Sequence, residues 1–344
     1  MALAPYPWLE EAASRLSAMK NRLPNAVLIY GAPGCGAFEL ARHFAESLLC
    51  EAPRPDGTSC GRCAGCRLLK SGTHPDLRIV VSEYMARELD LPYTPSEKES
   101  SRTKLSREVR IHQFRALSDF LTMAAHRGGR RVVLVYPADM VRAEAAASLL
   151  KSMEEPPEGL IYVLVADDID AVLPTIRSRS RLLRVGLPSR EDALAWLSTH
   201  KRVKDPEGAL AMAGGSPLTA LKDTTGLTLA PKAFDALKHL VLKGAGLTPD
   251  DIVRGYSAEM TPPAVSLFLA RWCYDLVRVA SGLPVRYFIH ETEAMAQLTT
   301  GVSLEALLAL VAEVETMRRS SEHPLSARQV WEGILLQYAK ALGR

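Results

Sequence analysis

At 344 residues the chain is long enough for two or three domains with substantial cores. Hydrophobic residues make up 47% and charged residues 24%, with a net charge of +3. That balance fits a soluble globular protein and is too weakly basic to argue for nucleic acid by itself. The opening MALAPYPWLEEAASRL lacks the basic start and long apolar stretch of a signal peptide, and no transmembrane run follows, so a cytoplasmic protein with no membrane partner is expected.

NAVLIYG (25–31) reads as a buried strand entering the loop YGAPGCGAFEL (30–40). The spacing Gly31-x4-Gly36 matches the phosphate-binding pattern G-x-x-x-x-G-K-[ST]. Yet Ala37 stands where the lysine belongs and Phe38 where the serine or threonine belongs. The glycines Gly31, Gly34 and Gly36 leave a degenerate phosphate loop whose backbone donors remain, so nucleotide binding without hydrolysis stays open. FELARHFAESLLC (38–50) continues as a helix with Phe38, Leu40, Ala41, Phe44, Ala45 and Leu48 largely on one side.

Directly behind that helix comes Cys50-x9-Cys60-x2-Cys63-x2-Cys66. In a reducing compartment clustered cysteines suggest metal before disulfides. Four thiolates complete a tetrahedral zinc shell with no open position, the mark of a structural site. Gly61 and Gly65 let a tight loop turn its sulfurs inward. Part of an iron–sulfur run shares the C-x2-C-x2-C spacing, but the C-P that should follow is missing. The tripeptide HPD (74–76) reads as a plain loop before the strand DLRIVV (76–81).

Residues 82–110 are polar with little periodicity and read as a mobile surface insertion. Helical spacing returns at IHQFRALSDFLTMAAH (111–126). RRVVLVY (130–136) is a strand, EAAASLLKSMEEPP (144–157) a helix stopped by prolines, and LIYVLVA (160–166) and RLLRVGL (181–187) two more strands. Short apolar strands alternating with helices predict a parallel sheet covered on both faces. A hydrolysing site needs Asp-Glu at the end of VVLVYPAD, and Tyr136 and Pro137 stand there instead. Asp139 comes two residues late and reads as an N-cap for the next helix. A lid arginine is missing too, since GGSPLTAL offers Leu218. Three separate catalytic positions are therefore empty, which indicates a P-loop fold that does not hydrolyse ATP with magnesium.

LPTIRSRSRLLRV (173–185) carries Arg177, Arg179, Arg181 and Arg184 just before the last strand. Beyond Leu187, SREDALAWLSTH (189–200) starts with Ser189 as an N-cap, and EGALAMAGGSPLTALKD (207–223) holds two short helices around a Gly-Gly break. From about 230 onward only helices are predicted, at 232–243, 262–281, 286–299, 303–319 and 326–342, the last opened by the capping box Ser326-x-x-Gln329. The expected fold is α/β followed by all-α, in three parts. Residues 1–187 form a P-loop-like domain with a zinc module at 50–66, 188–226 a small helical lid, and 227–344 a helical oligomerisation domain.

YPWL, the degraded loop, the four cysteines, HPDL, SLLKSMEEPPEG and TIRSRSRLLRV together resemble the delta-prime branch of the bacterial replicative clamp-loader subunits, within the AAA+ family. The resemblance spans the sheet domain and its lid and is weaker beyond. It implies a stator-like part of a DNA polymerase III holoenzyme, in a pentamer whose C-terminal domains form a collar. The implied partners are the gamma/tau ATPase subunits, the delta subunit, the sliding clamp and, through the complex, primer–template DNA. The family's Ser-Arg-Cys motif falls on Ser178-Arg179-Ser180, making Arg179 the candidate finger for a neighbour's ATP. Two other readings are an active motor ATPase and a zinc-dependent nucleic-acid-binding module. Hydrolysis by the chain alone separates the first, and tight autonomous DNA binding the second.

Overall fold

The computed structural model describes residues 4–95, 105–127, 129–225, 227, 229–257, 259–320 and 327–343. The chain divides into two compact units, Met1–Leu187 and Pro188–Arg344.

In the first unit five strands form one sheet: β1 (Ala26–Tyr30), β2 (Leu77–Val81), β3 (Arg131–Tyr136), β4 (Leu160–Ala166) and β5 (Arg181–Arg184). Their order is β2-β3-β4-β1-β5, and every pairing is parallel. The Val-, Ile- and Leu-rich runs supply side chains to both faces by the two-residue alternation of a strand. Val27, Ile29, Leu134 and Val163 face one apolar layer, and Ala26, Leu28, Val133 and Leu164 face the other. The first layer is closed by α1 (Glu10–Met19) and α2 (Ala37–Leu48). β5 departs from the expected cover. It is an edge strand, with Leu183 buried and Arg181, Leu182 and Arg184 exposed.

Among the described residues the other helices of this unit are α3 (Ala64–Lys70), α4 (Glu83–Glu88), α5 (Ile111–Arg115), α6 (Ser118–Thr122), α7 (Ala143–Glu154) and α8 (Pro174–Arg177). The single helix predicted over 111–126 is two. Phe114, Leu117 and Phe120 are all buried. Their three-residue repeat rotates out of register on a continuous 3.6-residue helix, so the chain breaks and rewinds to keep all three inward. α7 ends at Glu154 because Pro156 disfavours helical geometry in the residue before it.

The stretch 82–110 is not a loose insertion at its ends. Ser82 Oγ caps α4 by accepting the Met85 N–H, and Ala86 is buried. The Ser106 N–H donates to the Glu83 carboxylate at 2.9 Å, and buried Val109 bridges Val141. Residues 96–104, the middle of that expectation, lie outside the described residues.

The second unit is helical: α9 (Arg190–Ser198), α10 (Pro206–Met212), α11 (Pro217–Lys222), α12 (Pro231–Val241), α13 (Pro249–Gly255), α14 (Pro262–Ala280), α15 (Thr292–Thr299), α16 (Leu304–Ser320) and α17 (Ala327–Leu342). Ser189 does cap α9, accepting the Asp192 N–H. Gly214 and Gly215 turn the chain at φ 66° and 93°. Ala193, Leu197, Leu210 and Ala220 make a small apolar cluster of their own. A larger cluster holds Phe268, Trp272, Phe288, Trp331 and Tyr338. Their polar atoms are satisfied: Trp272 Nε1–H donates to Tyr338 Oη, which donates to the Val241 carbonyl, and Trp331 Nε1–H donates to the Ile252 carbonyl.

Two helical expectations shift. Residues 286–291 are not helical, because the buried Asp275 carboxylate accepts the backbone N–H groups of Arg286, Tyr287 and Phe288. α13 carries one buried residue, Ile252, and shows no apolar repeat to read. The Ser326-x-x-Gln329 capping box begins on Ser326, outside the described residues. Among the described residues no single helix is long and apolar enough to cross a membrane.

Candidate functional site

The phosphate-type loop leaves β1 at Gly31 and re-enters helix at Ala37. Gly34 and Gly36 have φ of 73° and 96°, which side chains rarely adopt. At Gly31 a Cβ would sit 2.3 Å from the Val185 carbonyl oxygen and 2.7 Å from Cys35 Sγ. The glycines thus serve the strand–loop–helix join. The N-terminal segment packs onto the loop from outside. Trp8 Nε1–H donates to the Cys35 carbonyl at 2.9 Å, Tyr6 stacks on Trp8, and Leu9 and Tyr6 close over Gly36.

An aromatic pair occupies the place where a small hydroxyl and an acidic strand end would hold magnesium. Phe38 and Tyr136 lie 5.2 Å apart between ring centroids, and both are buried. Tyr136 Oη donates to the Asp167 carboxylate at 3.0 Å. Asp139 does not cap a helix. It lies in a short 3-10 turn, its carboxylate accepts the Asp167 N–H at 3.1 Å, and α7 starts after Arg142. Leu218 sits in the first turn of α11 and brings no charge.

Three carboxyls gather under the loop and the aromatic pair. Burial pushes the Glu39, Asp139 and Asp167 carboxyls up, Asp167 to about 6, where Asp139 adds like-charge repulsion. Asp167 therefore binds its proton more tightly folded than unfolded. Its penalty is absent below about pH 4, grows as pH rises through about 6 and is complete above that. Asp167→Asn keeps an acceptor for Tyr136 and removes the charge. We expect it to stabilise the chain by about 1–3 kcal/mol at pH 8 and not at pH 4. Paired thermal melts check this, and equal gains at both pH values would contradict it.

The arginine turn lies between α8 and β5. Buried Ile176 anchors it, and backbone bonds from Arg179 to Ile176 and from Ser180 to Arg177 fix it. Ser178 Oγ donates to the Thr175 carbonyl, and Ser180 Oγ to that of Ile176. Arg179 is 36% exposed. Its Nη2 donates to the Glu154 carboxylate at the end of α7, and its Nη1 to the Thr175 carbonyl at 3.1 Å. Arg177 pairs with Asp170, whereas Arg181 and Arg184 point outward on the edge strand. Glu154 is the residue that the sequence reading passed over. Its signal was the EEPP that ends α7, which places a carboxylate where the helix stops.

The four sulfurs of Cys50, Cys60, Cys63 and Cys66 lie within 4.8 Å of one another, and none of these cysteines is in a disulfide. The Cys50–Cys63, Cys60–Cys66 and Cys50–Cys66 separations are 3.9, 3.9 and 3.6 Å. Sulfurs held ~2.3 Å from a tetrahedral zinc lie about 3.8 Å apart, so the residues fit that ion. Backbone N–H groups of residues 60, 63 and 66 point at the sulfurs of Cys50, Cys60 and Cys63, as thiolates require. The N–H groups of Arg62 and Cys63 draw the Cys60 thiol down to about 6.

The module is tied to the sheet. Arg127 Nε donates to Glu51 at 2.6 Å, while its backbone N–H donates to the buried Asp76 carboxylate. His74 Nδ1 accepts the Asp76 N–H, so HPD is a clasp at the start of β2. Arg67 Nη1 turns back to the Arg62 carbonyl at 2.9 Å, while Arg62, Arg67 and Lys70 all stay exposed on the module.

Residues 10–188 match the family model described as DNA polymerase III, delta subunit. The DNA polymerase III subunit delta' of Pseudomonas aeruginosa is 37% identical over 218 residues, 62% of this chain and 60% of its own length. That of Escherichia coli is 32% identical over 220 residues, 63% of this chain and 60% of its own. That of Bacillus subtilis is 28% identical over 164 residues, 48% of this chain and 43% of its own. The similarity thus spans about three fifths of the length of the first two relatives.

Proposed function

The chain belongs to the DNA polymerase III delta subunit family, and from that membership we propose that it is a non-hydrolysing, stator-like subunit of a replicative clamp loader. It assembles with gamma/tau ATPase subunits and a delta subunit, and the complex loads the sliding clamp on primer–template DNA. This chain supplies Arg179 to the ATP held by a neighbouring subunit. Similarity to delta' subunits supports the loader role. The observation that carries the division of labour is a pairing within one unit. Phe38 and Tyr136 stand at its own magnesium-ligand positions, while a guanidinium stands half-exposed on a turn fixed by backbone bonds.

A guanidinium presents five N–H donors in a plane and stays charged at any working pH. Glu154 and Thr175 engage part of that fork from the chain's own side. They orient Arg179 and leave its exposed side for phosphoryl oxygens. In trans such a group stabilises the charge that spreads over the transferring phosphoryl. The zinc module is structural in this reading: it holds the segment between α2 and β2, which is too short for a core of its own.

Restoring the loop lysine alone should not create an enzyme. Ala37→Lys leaves Phe38 and Tyr136 in place, so no group binds magnesium or orients water. Release of inorganic phosphate by the purified variant should match that of the parent chain, and turnover above that level would show that the site needs only its lysine. The wider proposal is tested by mixing the chain with loader ATPase and delta subunits. Co-elution as one complex supports it, and a chain that elutes alone contradicts it.

A further inference from the structure

The helical unit carries a side-chain cluster that the loader role above does not use. Arg271, Tyr274 and Arg278 recur on α14 at three- and four-residue spacing and so share one face. The loop after α14 brings Arg286 and Tyr287 beside them. Tyr274 and Tyr287 meet edge to face, 5.8 Å between ring centroids. Arg271 and Arg286 lie 5.2 and 5.6 Å from the Tyr287 ring centre, and Arg278 lies 5.7 Å from that of Tyr274. Three guanidinium groups thus surround a pair of touching phenol rings.

The cluster is held in place from beneath. Fully buried Asp275 spends its carboxylate on the backbone N–H groups of Arg286, Tyr287 and Phe288, which pins the loop to α14. Arg278 Nε donates to the Pro284 carbonyl at 2.7 Å. Asp223 faces Arg271, but Arg278 and Arg286 both turn to the Tyr274 hydroxyl rather than to a carboxylate, and this holds that phenol below its usual range. Tyr274 is 38% exposed and Leu283 50% exposed, and Arg286 is exposed as well.

Among the described residues neither Arg278 nor Arg286 pairs with a carboxylate, and two such guanidinium groups flanking a half-exposed ring suit a ligand that carries both anions and flat faces. Nucleic acid phosphates and bases do so. A duplex hides its base faces in the stack, whereas a single strand offers them. An acidic peptide would match the cations, but it does not set a flat face beside every anion as a single strand does. We propose that this face of the helical unit binds single-stranded nucleic acid without sequence preference, with Tyr274 stacking a base and Arg278 and Arg286 taking the flanking phosphates. The proposal stands on these side chains and does not depend on the role given to Arg179.

The test is fluorescence anisotropy of a labelled 20-nucleotide oligodeoxythymidylate with the full chain at low salt. A dissociation constant on the order of 1–100 µM is expected, as for sequence-independent binding. Tyr274→Leu and Arg286→Ala should each weaken it about fivefold or more. Arg286→Ala should also lower the dependence of log affinity on log salt by roughly one contact, and Arg286→Lys should restore that dependence without the full affinity. The Arg286 side chain takes no part in the Asp275 clasp, so its variants should melt like the parent. Failure of the parent chain to bind, equal affinity of both variants, or equally tight binding of a 20-base-pair duplex would each overturn the proposal.

Discussion

Arg179→Ala should leave the chain folded and able to assemble, and should slow ATP hydrolysis at the one site it faces by at least about a thousandfold. Trans fingers are worth roughly 10³–10⁵ in rate. Steady-state turnover of a complex with several sites would fall less, so a single-turnover measurement is the sharper readout. The fold should barely notice. The pair with Glu154 is half-exposed, with side chains 36% and 51% accessible, and such pairs contribute about 0–1 kcal/mol. A melting temperature within a few degrees of the parent therefore separates lost chemistry from lost structure. Glu154→Gln is the companion variant. It keeps a hydrogen-bond acceptor and removes the charge that orients Arg179, so its rate should fall between parent and Arg179→Ala. Arg179→Lys should recover little, because an ammonium cannot present a planar fork. An unchanged single-turnover rate in Arg179→Ala would falsify the finger assignment.

Cys66→Ser should cost the chain its metal and several kcal/mol of stability. Cys66 is buried, within 3.9 Å of two other ligand sulfurs. A hydroxyl there is both a poor soft-metal ligand and an awkward buried group. Zinc sites in small modules supply on the order of 10 kcal/mol of folding free energy at neutral pH. Here the surrounding sheet shares the load, and about 3–5 kcal/mol is the expected loss. Arg127–Glu51 and the Asp76 clasp join the module to β2, and Ser17 Oγ donates to the Asp56 carbonyl from α1. Hydrogen exchange should therefore quicken first in 50–70, then at the start of β2 and the end of α1. Metal analysis of the parent should return one zinc per chain and no visible absorbance. A visible band would indicate iron–sulfur, and a Cys66→Ser protein that still melts with the parent would show that the cluster carries no structural load.

The central strands β1, β3 and β4 were readable because their apolar runs are short, rich in branched residues and bounded, and because both faces are buried. Elements whose logic is tertiary were not. Nothing local shows that Phe114, Leu117 and Phe120 must all face inward, so the break in the 111–126 helix is invisible to a periodicity argument. The loop at 286–291 has helical composition, and only Asp275, eleven residues upstream of its first partner, diverts its backbone. α4 and Val109 were hidden by the polar residues around them. At the site, the missing lysine and carboxylates could be read directly from spacing. What fills the vacated space could not, since the Phe38–Tyr136 pair joins residues 98 positions apart. The same holds for Arg179, whose partner Glu154 comes 25 residues earlier, across a strand and a turn. The cysteine spacing foretold the gathering of four sulfurs because three of the cysteines lie within one tight loop.

The most direct measurement is phosphate release from ATP by the purified chain with magnesium, alone and then with loader ATPase subunits. Alone it should stay at the buffer level, and hydrolysis should appear in the mixture and depend on Arg179. Turnover by the isolated chain, reduced by substitutions around Gly31–Gly36 and indifferent to Arg179, would mean that the phosphate site is alive and that the chain is a motor in its own right.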